Sequence, residues 1–319
     1  MKIFDPLVAE EQLHPNFKRT LEPGAAGIRA ILEDWSHGFE DRDGKFIQEF
    51  QMTYNSSFWE LYLFAVLKDL NLPVDFRHAS PDFVLQDYPV VIEATVANHS
   101  VDGVPEWEKT FDGVTDDDLM RSYTNAIVRA SNAFLGKEQK YRDSYANLPH
   151  VDGKQFVIAI ANFGTEDFFM LGDVAMQWLL YDMAEVGEVH KTNGAAVPLG
   201  IFKDDQFAHV SAVAYSSTAT FGKARALGTD AGDFLFNAVR IKDNVEPIRI
   251  VSRKEDYQES LTDGLRIFTN PNANYPLDLS LFNDPGIRVF EAHKDGTFHV
   301  SCHPEGDLCM RMVVNLITE

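Results

Sequence analysis

At 319 residues with 45% apolar side chains, the chain can bury a large core, as one decorated domain or as two. Its 49 acidic residues outnumber 28 basic ones to give a net charge of −21, which argues against a tight or processive grip on a polyanion unless the charge is strongly segregated. Only Cys302 and Cys309 could form a disulfide, no apolar run is long enough to span a bilayer, and Met1 to Pro6 lacks signal-peptide character, so a cytoplasmic protein with no membrane partner is expected.

Residues 1–48 hold Pro6, Pro15 and Pro23, a helix expected over Ala25 to Ser36, and a charged turn from Glu40 to Lys45. A second helix begins near Asn55, with Asn55 to Ser57 offering capping side chains. Phe58, Trp59, Leu61, Leu63, Phe64, Ala65, Val66 and Leu67 make it apolar almost all round, as a core helix is. Glu60 breaks that surface, in a first turn where the helix dipole favours a negative charge.

A hairpin follows. Ser80-Pro81-Asp82-Phe83-Val84-Leu85 and Val90-Val91-Ile92-Glu93-Ala94-Thr95 flank a turn within Gln86 to Pro89. Strand residues alternate between faces, so Asp82 shares a face with Val84 and Glu93 shares one with Thr95. A short hairpin sets the start of its first strand beside the end of its second, which aims Asp82 and Glu93 at one point. Glu93 interrupts the continuous apolar run of a strand covered on both faces. Two adjacent carboxylates stay ionised together only with positive charge between them, and hard cations such as Mg²⁺ or Mn²⁺ prefer such oxygen ligands.

From Thr115, an expected N-cap followed by Asp116, Asp117 and Asp118, Leu119, Tyr123, Ala126, Ile127, Ala130, Ala133 and Phe134 recur at helical spacing. Lys137 falls about five full turns after Leu119 at about 100° per residue, back on the inward stripe. Further strands are expected at Phe156 to Ala161, Val210 to Ser216, Ile248 to Ser252, Gly286 to Glu291 and Thr297 to Ser301, with helices around Gly172 to Ala184 and Thr220 to Leu227. Ser216, Ser217 and Thr218 read as a turn. His299, Cys302, His303 and Cys309 match no common zinc spacing.

The order helix-Glu, then Pro-Asp and Glu-x-x on a strand hairpin, then a helix, resembles the PD-(D/E)XK nuclease superfamily over roughly residues 50–165. Glu60 matches the helix acid, Pro81-Asp82 the first motif and Glu93-Ala94-Thr95 the second. Phe50-Gln51 to Leu63, Val210 to Ser217 and Phe268 to Ala273 also look like segments of an uncharacterised bacterial family. The superfamily resemblance implies a restriction-endonuclease-like α/β core with a mixed central sheet at 49–165, a helical extension at 1–48 and an α+β elaboration at 166–319. It further implies Mg²⁺-dependent hydrolysis of phosphodiester bonds, with Asp82 and Glu93 binding metal and Glu60 holding a second ion or orienting water. Thr95 departs from the pattern, since the family has lysine there; Lys137 is the expected substitute, Lys140 is less well aimed, and Arg77 could contact phosphate instead.

Nucleic acid is thus the expected partner, set against the net charge. Arg121, Arg129, Lys137, Lys140 and Arg142 form a local basic region, while acids gather at Asp116 to Asp118, at Asp182, Glu185 and Glu188, and at Asp204-Asp205. The rivals are a catalytically inactive nuclease-fold protein acting as a binding or assembly module, as a homodimer or with a protein partner, and another two-carboxylate enzyme such as a glycoside hydrolase.

Overall fold

The computed structural model describes residues 1–99, 104–108, 115–164, 167–183, 187–229 and 232–316. Ala184 and Glu185 lie outside the described residues, as does the side chain of Asp116. The chain is a mixed α/β protein. A seven-stranded mixed sheet is built from β1 (Phe83–Val84), β2 (Val90–Asn98), β3 (Gln155–Phe163), β4 (Val210–Ser216), β7 (Leu265–Thr269), β8 (Ile287–Ala292) and β9 (Phe298–Val300), in the order β1-β2-β3-β4-β7-β8-β9. A three-stranded antiparallel sheet, β10-β5-β6, joins β5 (Phe234–Lys242), β6 (Glu246–Arg253) and β10 (Asp307–Asn315).

Helices cover both faces of the large sheet. On one face α4 (Asn55–Asp69) packs with α2 (Ala26–Trp35) and the smaller α1 (Pro15–Leu21), α3 (Phe46–Met52) and α7 (Phe221–Leu227). The strands offer Ala94, Ala159, Ala161, Ala212 and Ala214 on this face, and such short side chains leave room for Phe58, Trp59 and Tyr62 of α4. Helices α5 (Asp116–Lys140) and α6 (Val174–Tyr181) cover the other face, where Val91, Phe156, Ile158, Ile160, Val213 and Phe268 point outward from the same strands.

Strands β2 and β3 are parallel, from Val90 opposite Gln155 to Asn98 opposite Phe163, so the chain must cross back between them. Helix α5 makes that crossing. It starts beyond the end of β2 and finishes at the start of β3, which returns its last turn to the first half of β2. Its start is fixed by a capping box: Thr115 Oγ1 accepts from Asp118 N–H at 3.2 Å and Asp118 accepts from Thr115 N–H at 3.1 Å.

One expectation needs correction. Asn55 does not cap α4, because Tyr54 holds that position without a side-chain bond, and the Asn55 side chain donates instead to Glu106 at 2.6 Å. Beyond β3 the large sheet runs on by hydrogen bonding into β4 and the strands after it. Ser216 does turn the chain, its hydroxyl accepting from the Thr218 and Ala219 amides at 3.1 and 3.0 Å.

Candidate active site

The hairpin pairs Phe83 with Ile92 and Val84 with Val91, so the same register carried one residue outward sets Asp82 against Glu93. Val84 and Val91 pack under α5, and the alternation puts both acids on that face. Glu93 is fully buried. Asp82 is half-buried and accepts a hydrogen bond from the amide of Ala94 at 2.7 Å.

The helix above brings the missing positive charge. Lys137 Nζ donates to Glu93 Oε1 at 2.7 Å, and Lys140 Nζ donates to the same oxygen at 3.0 Å. Three residues apart on α5, the two lysines share a face and reach down from its last turn, where the dipole also favours cations. Among the described residues, Glu93 Oε2 is buried without a well-aligned hydrogen bond, and the Tyr145 hydroxyl is the polar group that interacts with this carboxylate. Tyr145 lies in the π-helical turn Tyr141–Tyr145 that follows α5, with Lys140 Nζ 5.1 Å from the centre of its ring.

Burial and mutual repulsion act together here. Burial, and after it the charge of Glu93, pushes Asp82 up to about 6 although both lysines pull the other way. Glu60, half-buried on α4, is pushed up to about 8 by burial and by Asp82, with Arg42 and Lys137 opposing. Burial raises Tyr145, with Glu93 and Asp82 adding to it. Glu60 therefore senses Asp82, yet among the described residues no three His, Cys, Asp or Glu side chains are grouped to hold a metal ion.

Several residues of the site escaped the sequence. Arg42, in the charged turn before α3, donates to the carbonyls of His78 at 2.7 Å and Pro81 at 3.2 Å, clamping the approach to Asp82. His150 bonds the Ser80 carbonyl at 2.8 Å and stacks on His78 with ring centres 3.8 Å apart. These contacts bridge distant parts of the chain and leave no local pattern. Tyr145 needed the phase of a π turn, which breaks the helical period that located Lys137.

Arg77 is committed elsewhere, forking onto Asp75 through Nε at 2.8 Å. The basic region on α5 is largely neutralised in place, with Arg121 paired to Asp118 and Arg142 to Glu138, each at 2.7 Å. Cys302 and Cys309 are free thiols. Among the described residues, no helix is long and apolar enough to cross a membrane. Comparison with protein-family models, curated proteins and solved structures finds no match to this chain.

Proposed function

We propose that the chain is a metal-dependent phosphodiesterase of the PD-(D/E)XK type, with a restriction-endonuclease-like core in which α5 supplies the lysine that position 95 lacks. The observation that carries this reading is the convergence of Lys137 and Lys140 on Glu93, directly across the hairpin from Asp82. The donor set suits Mg²⁺ or Mn²⁺. It offers only oxygen, no cation among the described residues bonds the second carboxylate oxygen of Glu93, and Mg²⁺ is commonly held by one or two carboxylates with substrate phosphate completing its shell.

In this reading Asp82 and Glu93 hold the ion. When bound, it supplies Lewis-acid polarisation of the phosphoryl group and acidifies the attacking water. Lys137 moves from Glu93 toward the phosphate to offset developing charge, and Lys140 keeps Glu93 oriented. Glu60, beside Asp82, orients the attacking water or holds a second ion.

The test is cleavage of DNA and RNA oligonucleotides with Mg²⁺ or Mn²⁺, alongside Mn²⁺ titration by electron paramagnetic resonance. Asp82→Asn is expected to lose both cleavage and Mn²⁺ binding while remaining folded. Parental cleavage by Asp82→Asn would end the proposal. A second reading, a binding module that keeps the fold without catalysis, is favoured by the ion-paired state of Glu93 and by the net charge of −21. It predicts no Mn²⁺ binding by the parent.

A further inference from the structure

The lysines of α5 reach the carboxylates from one face of the large sheet, and a third cation arrives from the layer on the other face. Arg42 lies half-buried in the turn that leads into α3. It is fixed through a single nitrogen, since the bonds to the carbonyls of His78 at 2.7 Å and Pro81 at 3.2 Å both come from Nη1. Pro81 adjoins Asp82 in the chain, and the charge of Arg42 is one of those that oppose the rise of Glu60. The guanidinium thus stands near both acids without an ion pair to either.

A guanidinium carries its N–H donors in a rigid plane, and the edge formed by Nε and Nη2 matches the spacing of two oxyanion oxygens. Arg77 shows that edge in use, with Nε and Nη2 both on the carboxylate of Asp75. The deeply buried arginines are also matched, Arg240 with Asp263, Arg266 and Arg288 with Asp173, and Arg311 with Glu259. Arg42 differs from these. Among the described residues its Nε and Nη2 make no hydrogen bond and it forms no ion pair, although acids flank it in the chain. Those acids are engaged elsewhere: Asp41 accepts from the amides of Gly44 and Phe46, and Asp43 pairs with Lys45.

We propose that Arg42 grips a backbone phosphate of the substrate through Nε and Nη2, while its Nη1 stays seated on the two carbonyls beside Asp82. This rests on the phosphodiesterase reading and adds a substrate contact to it: Asp82 and Glu93 hold the ion, and Arg42 holds the strand. The seat matters, because a guanidinium that is already immobilised loses little freedom when it forks onto a phosphate. It also bears on the net charge of −21, since one preorganised cation at the site gives local attraction where the surface as a whole repels a polyanion.

Anisotropy titration of the full-length protein against a short fluorescein-labelled DNA strand and its RNA equivalent tests it, with Ca²⁺ replacing Mg²⁺ so that binding is read apart from turnover. Arg42→Gln should weaken binding about tenfold whatever the base sequence. It should also lower the slope of log Kd against log salt by about 0.7, the share of one single-strand phosphate. Mn²⁺ binding, read by electron paramagnetic resonance, should stay parental. A residue that only braced the turn at Asp82 would do the reverse, losing Mn²⁺ affinity and leaving the salt slope alone, and that result would overturn the proposal. Arg42→Lys keeps the charge without the fork, so it should keep the slope and lose part of the affinity; parental affinity there would overturn the fork even if Arg42→Gln fails to fold. A parent that binds a strand but cleaves neither with Mg²⁺ loses the phosphodiesterase reading alone, and a parent that binds neither strand loses both.

Discussion

Two clusters of buried charge in this protein use the same residue types but differ in how fully their carboxylates are bonded. Beneath the three-stranded sheet, Lys223, Arg240 and Arg311 face Glu259 and Asp263, three cations to two carboxylates. All four carboxylate oxygens are bonded there: Glu259 accepts from Lys223, Arg311 and Tyr257, and Asp263 accepts a fork from Arg240 and the amide of Ser260. Burial alone would raise Asp263, but Arg240 and Lys223 outweigh it and its carboxyl sits below the usual range. Around β2 three carboxylates meet Lys137, Lys140 and, at Glu60, Arg42; both lysines share one oxygen of Glu93, and Asp82 and Glu60 are driven up. A cluster whose carboxylate oxygens are all bonded holds elements together; one whose carboxylates repel each other is poised for a cation from outside.

The largest expected effect is on the matched cluster. Glu259→Ala leaves Lys223 and Arg311 as uncompensated cations beside a fully buried position, and should cost about 3–5 kcal/mol in urea unfolding. If Glu259→Ala unfolds at the parental midpoint, the cluster is not the clamp its geometry describes.

Next comes the lysine pair. If the proposed nuclease reading holds, Lys137→Met should slow Mg²⁺-dependent cleavage about 100-fold, the usual scale for losing one preorganised donor, and cost less stability than Glu259→Ala because Lys140 still pairs with Glu93. Lys140→Met should cost less, because its partner still holds Glu93. Thr95→Lys in the Lys137→Met background restores a cation at the family position, and partial recovery would show the two locations equivalent. Full activity of Lys137→Met would remove the lysine from the mechanism.

How far the site was legible depended on whether its signals were local. Strand alternation was enough to pair Asp82 with Glu93, and helical phase alone brought Lys137 round to them. The apolar stretch from Phe58 to Leu67 likewise announced a buried helix. Strands β5 and β10 were hidden because Arg240 and Arg311 occupy buried positions in them, while Leu235, Val239 and Ile241 put apolar side chains on the other face of β5. Helices α1 and α3, of seven residues each, are too short to show a period. Arg42 and the His78–His150 pair arise from tertiary contacts that no window of sequence contains.

A smaller effect separates the clusters by stability. Asp82→Asn relieves like-charge repulsion while keeping an oxygen for the Ala94 amide, so it should raise stability at pH 8 by about 1 kcal/mol. A loss of that size would mean that the carboxylate is already matched in the metal-free protein and that the contrast between the two clusters is wrong.

The smallest effect is a slope against pH. Glu60 and Asp82 titrate higher in the folded chain than in the unfolded one, so between about pH 4 and about pH 8 the folded chain holds protons that the unfolded chain has released. Stability contributed by these groups is therefore greatest at the acid end and falls as pH rises through that window. Other groups titrate there too, and Glu60→Gln isolates the share of Glu60: subtracting its stability curve from that of the parent should leave a decline centred between pH 4 and 8. Excess Mg²⁺ should flatten the decline, since a cation favours the ionised carboxylates of the folded state and opposes the repulsion. A parental curve parallel to that of Glu60→Gln would show that Glu60 pays no penalty for ionising beside Asp82, and an unflattened decline at saturating Mg²⁺ would show that the repulsion is not relieved by metal.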